Sequence, residues 1–187
     1  MSDWSLARLL ANVHDDIQQR LSISRGAFGH APTKGDASET VWLELLQKYL
    51  DIEQTRFGPR LAVQMTIDPE TLDALVPNFM LQPLVENAVR HGIAPHSRPG
   101  RITISAGRDG ERLTIHIVDS GNGVAPHRLT LLNQGVGLAN TRARLEHLYR
   151  DSHALVFSNV EGGFRVTVSI PFVVAGFATE PVEAGVA

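Results

Sequence analysis

The chain has no cysteine among its 187 residues, which excludes disulfides, thiolate metal sites and cysteine nucleophiles and is neutral about compartment. Lysine is almost absent as well. The only two, Lys34 and Lys48, follow Thr33 and Gln47, so the Gly-Lys-Ser/Thr of a P-loop is missing. No run approaches the roughly 18 apolar residues of a membrane span, and the opening MSDWSLARLL lacks a signal-peptide pattern. Charge of one sign is lacking too: a formal net charge of -3 gives no general basic surface for nucleic acid or anionic membrane. A soluble chain without a membrane span of its own is expected.

What is present is enough apolar residue, 43%, to bury one good core with room for a helical extension. Trp4 to about Ser24 has helical periodicity through Leu6, Leu9, Leu10, Val13, Ile17 and Leu21, and the segment from Gly26 to Asp36 breaks it. Ser38 can cap a second helix running to about Arg56, with Val41, Leu45, Lys48, Tyr49 and Ile52 at helical spacing. Gly58-Pro59 stops it. The expected divisions are a helical hairpin over 1–57 with the layout of a dimerisation stem, a main domain over 58–172, and a disordered tail over 173–187. Within the main domain, strands are expected at Leu61–Ile67, Arg101–Gly107, Leu113–Val118, Ala154–Ser158 and Phe164–Ile170. A short helical turn is expected at Asp68-Pro69-Glu70, and a helix from about Leu138 to Tyr149. Hairpins without repeated βαβ units predict a two-layer α/β sandwich with a mixed sheet.

The stretch around which the chain is organised is LQPLVENAVRHG, Leu81 to Gly92. At 100° per residue Leu81, Leu84, Val85, Ala88 and Val89 form an apolar stripe, and Glu86, Asn87, Arg90 and His91 share the other side. Pro83 requires the regular helix to begin near Leu81 or to bend there. Asn87, Arg90 and His91 are spaced i, i+3, i+4 and can converge on one ligand. An amide oxygen suits a hard divalent cation, and a guanidinium suits phosphate, which together suggest a magnesium–nucleotide floor. A plain amphipathic helix with a solvated polar side is the alternative for this segment alone.

Two glycine-rich stretches follow, VDSGNGV at Val118–Val124 and GVGLANTRARL at Gly135–Leu145. The dinucleotide fingerprint G-x-G-x-x-G would need glycine at 126 or 140, where Pro126 and Asn140 stand. In order and spacing, the three stretches resemble the N, G1 and G2 boxes of the GHKL ATPases, the superfamily of gyrase, MutL-type repair proteins and histidine kinases. Within it, the LQPLVENA wording is similar to that of autolysin-regulating, LytS-like sensor kinases, and the resemblance covers roughly Thr40 to Phe172.

That resemblance implies the Bergerat ATP-binding fold and a set of roles. Asp119 receives the adenine amino hydrogens beside Gly121 and Gly123, and Gly135, Gly137, Leu138 and Asn140 lie at the phosphates, with Arg142 a second-rank candidate. One arginine about 4 Å from a phosphate is worth roughly 4 kcal/mol at an effective dielectric near 20, too little for a triphosphate. The resemblance accordingly places Mg²⁺ on Asn87, Arg90 on phosphate, His91 near the nucleotide edge and Glu86 as the acid that polarises the attacking group. Phe164 departs from the pattern, because many relatives carry Ser or Thr there.

For the phosphoacceptor, the NPHF-type sequence of LytS-like kinases is missing. VHDDIQQRL instead resembles the H-D-x-x-x-Q box of nitrate-sensor kinases, with His14, Asp15 and Gln19 in the matching places; His30 is a poorer candidate. The implied activity is a sensor histidine kinase that moves the ATP γ-phosphoryl to a histidine and on to a response regulator. A homodimer, a cytoplasmic location or membership in the cytoplasmic part of a membrane sensor, and no nucleic-acid partner are expected. An ATP-binding module without autokinase activity and an anti-sigma-type serine kinase remain open alternatives.

Overall fold

The computed structural model of the chain describes residues 41–77, 80–125 and 136–174. The helix expected over Trp4–Ser24 with His14, the candidate His30, and Gly135 lie outside the described residues.

Helix α1, Val41–Phe57, turns Leu46, Leu50, Glu53 and Phe57 inward at spacings of four and three. The sequence periodicity pointed to a stripe through Tyr49 and Ile52, and these lie instead at its half-buried margin while Lys48 is exposed. Two apolar stripes overlap on this helix, and the sheet selects the one carrying Leu50 and Phe57. Gly58 ends the helix with φ +57, the left-handed conformation of a C′ glycine, and a Cβ there would meet nothing, so backbone shape alone calls for glycine.

Five strands follow: β1 Leu61–Ile67, β2 Gly100–Asp109, β3 Arg112–Asp119, β4 Ala154–Val160 and β5 Gly163–Pro171. Their order across the sheet is β1-β2-β3-β5-β4. β1 runs parallel to β2 and the other pairs are antiparallel, which gives the mixed sheet. Gly110, φ +59, and Gly162, φ +75, make the two tight hairpins.

Alternation decides the faces. Ile102, Ile104 and Ala106 of β2, Leu113, Ile115 and Ile117 of β3, and Phe164, Val166, Val168 and Ile170 of β5 point into one buried layer. The helices cover it. Leu84 and Val85 come from α2, Gln82–Asn87, Ala88, Val89 and Ile93 from the turn after it, and Leu138 and Leu145 from α3, Val136–Tyr149. The opposite face carries a polar row, Thr66, Ser105, His116 and Thr167, in which His116 Nδ1 lies 3.0 Å from Thr167 Oγ1. Leu46, Leu50 and Phe57 belong to the same core cluster as the sheet. Val174 bridges to Ala74, and Leu75 N–H donates to the Val173 carbonyl at 2.7 Å, so the first two residues of the expected tail are tied down. Among the described residues, no helix is long and apolar enough to cross a membrane.

Candidate nucleotide site

Helix α2 spans only Gln82–Asn87. Pro83 sits in its first turn, where the missing N–H costs nothing, as the sequence led one to expect. From Ala88 to Ile93 the helix widens to i→i+5 bonding, with Ala94 N–H donating to the Val89 carbonyl at 2.8 Å. This corrects the simple helical wheel. Each residue of a wide turn advances by less than 100°, so Arg90 and His91 do not stand where i+3 and i+4 spacing from Asn87 would put them. Glu86 and Asn87 are half-buried, and Arg90 and His91 are exposed.

The wide turn ends by pressing Gly92 against the end of β3. A Cβ at Gly92 would collide with the Asp119 carboxylate, and one at Gly121 would stand 2.7 Å from both Asp119 Oδ1 and Gly92 Cα. Asp119 is only 5% exposed. It occupies a core-facing place in the alternation Leu113, Ile115, Ile117, Asp119, level with Ile102 on one side and Phe164 on the other. Burial pushes its carboxyl above the ordinary carboxylate range, while the Gly121 N–H, donating to Oδ1 at 2.9 Å, and His96 pull it back. A nearly buried carboxylate packed against two glycines at the end of a strand is a hydrogen-bond acceptor that only backbone closely approaches.

The loop after Asp119 is fixed from two sides. Arg98 donates to Asn122 Oδ1 at 2.8 Å, and Ser120 Oγ accepts from the Arg101 N–H at 2.7 Å. On the other side the Asn159 side chain makes a reciprocal pair with Val124, Oδ1 accepting from its N–H and Nδ2 donating to its carbonyl, both at 2.8 Å. Gly123 has φ +71 and passes so near Asn159 that a Cβ would lie 2.6 Å from Oδ1. Phe164 is buried and stacks on Phe157 with centroids 6.4 Å apart, an apolar wall where a hydroxyl was expected from the family pattern.

Helix α3 brings the second glycine stretch close to the first turn of α2: a Cβ on Gly137 would be 3.5 Å from Pro83 Cβ. Leu138 is buried, Asn140 is exposed and Arg142 is half-buried. No acidic residue stands in the first turn of α3, whose partial positive charge favours an anion. Among the described residues no group of three or more His, Cys, Asp or Glu could hold a metal unaided. The single amide oxygen of Asn87 fits a Mg²⁺ that arrives on phosphates and keeps most of its waters.

Four of these contributors were not singled out from the sequence. Gly92 reads as an ordinary helix-ending glycine, and His96, Arg98 and Asn159 act only through contacts made across the fold.

A family model described as histidine kinase-, DNA gyrase B-, and HSP90-like ATPase matches residues 73–174. The chain is 30% identical over 175 residues to Sensor protein LytS of Staphylococcus haemolyticus, covering 87% of this chain and 30% of that protein. It is 35% identical over 158 residues to Sensor histidine kinase YpdA of Escherichia coli, covering 80% of this chain and 27% of that one. It thus spans less than a third of the length of either. Among solved structures, histidine kinase ThkA in complex with response regulator protein TrrA is similar in fold, with a TM-score of 0.58 at 13% identity over 89% of this chain and 49% of that chain.

Proposed function

Since this chain belongs to the histidine kinase-, DNA gyrase B-, and HSP90-like ATPase family, we propose that it is the ATP-binding catalytic part of a two-component sensor histidine kinase. The observation that carries the reading is the buried Asp119 carboxylate packed against Gly92 and Gly121, an acceptor at the end of β3 whose neighbours carry no side chains. The similarity to LytS and YpdA supports the kinase assignment, and the fold shared with ThkA, whose structure holds a response regulator, supports that class of partner.

In this scheme Asp119 accepts the exocyclic amino hydrogens of adenine, and Gly121 and Gly123 let the backbone run close to the ring. His91 lies at the nucleotide edge. Arg90, the backbone at Gly135, Gly137 and Leu138, and Asn140 receive the phosphates. Asn87 holds Mg²⁺, which when bound offsets phosphate charge that Arg90 alone cannot. Glu86 polarises the attacking group, and His14 is the acceptor we assign. As the histidine nitrogen bonds to the γ phosphorus, the bond to the bridging oxygen breaks, ADP departs with that oxygen, and the imidazole proton passes to the base. The phosphoryl group then moves to an aspartate of the response regulator, and the chain acts as a homodimer.

Incubation of the full chain with γ-labelled ATP is expected to leave acid-labile, base-stable label that His14→Ala abolishes. Acid-stable label on a partner protein would replace this reading with a serine kinase, and ATP binding without label would leave only a nucleotide-binding module. Titration of ATP with and without Mg²⁺ should show that Asn87→Ala loses the Mg²⁺-dependent part of the affinity and keeps the rest.

A further inference from the structure

Glu86 stands at a junction. On its own helix, one turn earlier, the Gln82 amide donates from Nε2 to Glu86 Oε1 at 2.8 Å. On α1 the Tyr49 hydroxyl bonds to the buried Glu53, and Arg56 reaches both Glu53 oxygens at 3.2 and 3.3 Å. Burial, Glu53 and then the charge of Glu86 all push the Tyr49 hydroxyl upward, so it stays neutral. We infer that Gln82 is a positioning residue for phosphoryl transfer, holding the Glu86 carboxylate by one oxygen so that the other oxygen is presented to the attacking group. The inference rests on the catalytic role proposed for Glu86.

The chemistry of position 82 fits this task. A glutamate side chain has three rotatable bonds, and fixing a long polar side chain of this kind costs up to about 2 kcal/mol of rotamer freedom, which a hydrogen bond formed beforehand removes from the reaction step. A lysine or arginine would hold the carboxylate as well, but as an ion pair that favours its charged form and makes it a poorer base. A neutral amide fixes the group without placing a positive charge beside it. An ordinary i, i+4 pair on a helix contributes only about 0.2–0.5 kcal/mol to stability, so a purely structural role for Gln82 predicts small effects everywhere.

The test compares the full wild-type chain with Gln82→Met, which keeps size and helix propensity but removes the donor, with Gln82→Ala, with Glu86→Gln, and with the Gln82→Met/Glu86→Gln double variant. Rates of label transfer are measured across ATP concentrations alongside thermal melts. Both Gln82 variants are expected to lower kcat on the order of tenfold, a fraction of what a general base contributes, with KM for ATP within about twofold and melting unchanged. The double variant should be no slower than Glu86→Gln alone, because the two residues act as one unit. Wild-type kcat in both Gln82 variants with a slow Glu86→Gln would overturn this inference and leave the parent reading standing. Wild-type rate in Glu86→Gln, or no transfer by the wild-type chain, would overturn both.

Discussion

Gly92 and Asp119 lie at the ends of two different elements and touch so closely that the first can carry no side chain: any Cβ at 92 would occupy the space of the carboxylate at 119. The turn after α2 and the end of β3 are packed together here, and each limits what the other can be.

Gly92→Ala is accordingly expected to damage both stability and binding. Forcing a methyl group into a filled space costs about 1–3 kcal/mol, which at roughly 2–4 °C per kcal/mol for a chain of this size is a clear drop in Tm. ATP affinity should fall at least as steeply, since the displaced atoms are those of Asp119. Gly107→Ala is the control, because a Cβ there meets nothing. Melting and ATP titration on both variants would show whether the effect belongs to the contact or to glycine loss in general.

Asp119→Asn should separate folding from binding. The folded carboxyl titrates above its unfolded value, so its contribution to stability is fully present below the unfolded pKa and is lost as pH rises through the folded one. At neutral pH the buried charge is a burden, and removing it should leave the ligand-free Tm unchanged or higher. ATP binding should nonetheless collapse, as the amide side chain presents a mismatched donor to the base. In the wild type, affinity should weaken as pH falls through the raised carboxyl value, where protonation removes the acceptor, and the variant should show no such step. Calorimetric titration across that range is the measurement.

Asn159→Leu removes both hydrogen bonds to Val124 while keeping a side chain of similar size. The loop after Asp119 then has to be ordered when the nucleotide binds. Each lost bond is worth about 1 kcal/mol, so ATP affinity is expected to drop about five- to thirtyfold, mainly through faster dissociation. Tm should change little. Stopped-flow binding and release of a fluorescent nucleotide would check this, a slower association with unchanged release placing the loop's effect on entry instead.

Much of the sheet could be read from alternation alone, because each strand buries one face and a period of two leaves little freedom. Asp119 stood out in the sequence at a strand end before Gly121 and Gly123, in a stretch resembling the G1 box, and its core-facing place after Leu113, Ile115 and Ile117 is seen only in the fold. The apolar stripe Leu81, Leu84, Val85, Ala88 and Val89 also came through intact. What the sequence did not disclose was the wide turn after Asn87. Nothing in AVRHGI distinguishes i→i+5 from i→i+4 bonding, and the choice is made by the packing of Ile93 and Gly92 against the sheet. The Asn159 clamp was hidden too, since it needs two segments brought together by the finished fold. The inward stripe of α1 was ambiguous because two registers compete on one helix.

Helix α1 shares its inner residues with the sheet. Leu50 is fully buried and Phe57 is nearly so, both within the same cluster as the strands, and Arg56 and Arg60 lie over the Phe57 ring at 4.8 and 5.3 Å. A twist applied to this helix has no slack in which to dissipate, because turning it would drag large side chains through a close-packed layer. It behaves less like a tether than like a shaft keyed to its housing. Leu50 and Phe57 make α1 part of the layer that covers the strands, so the helix cannot turn alone.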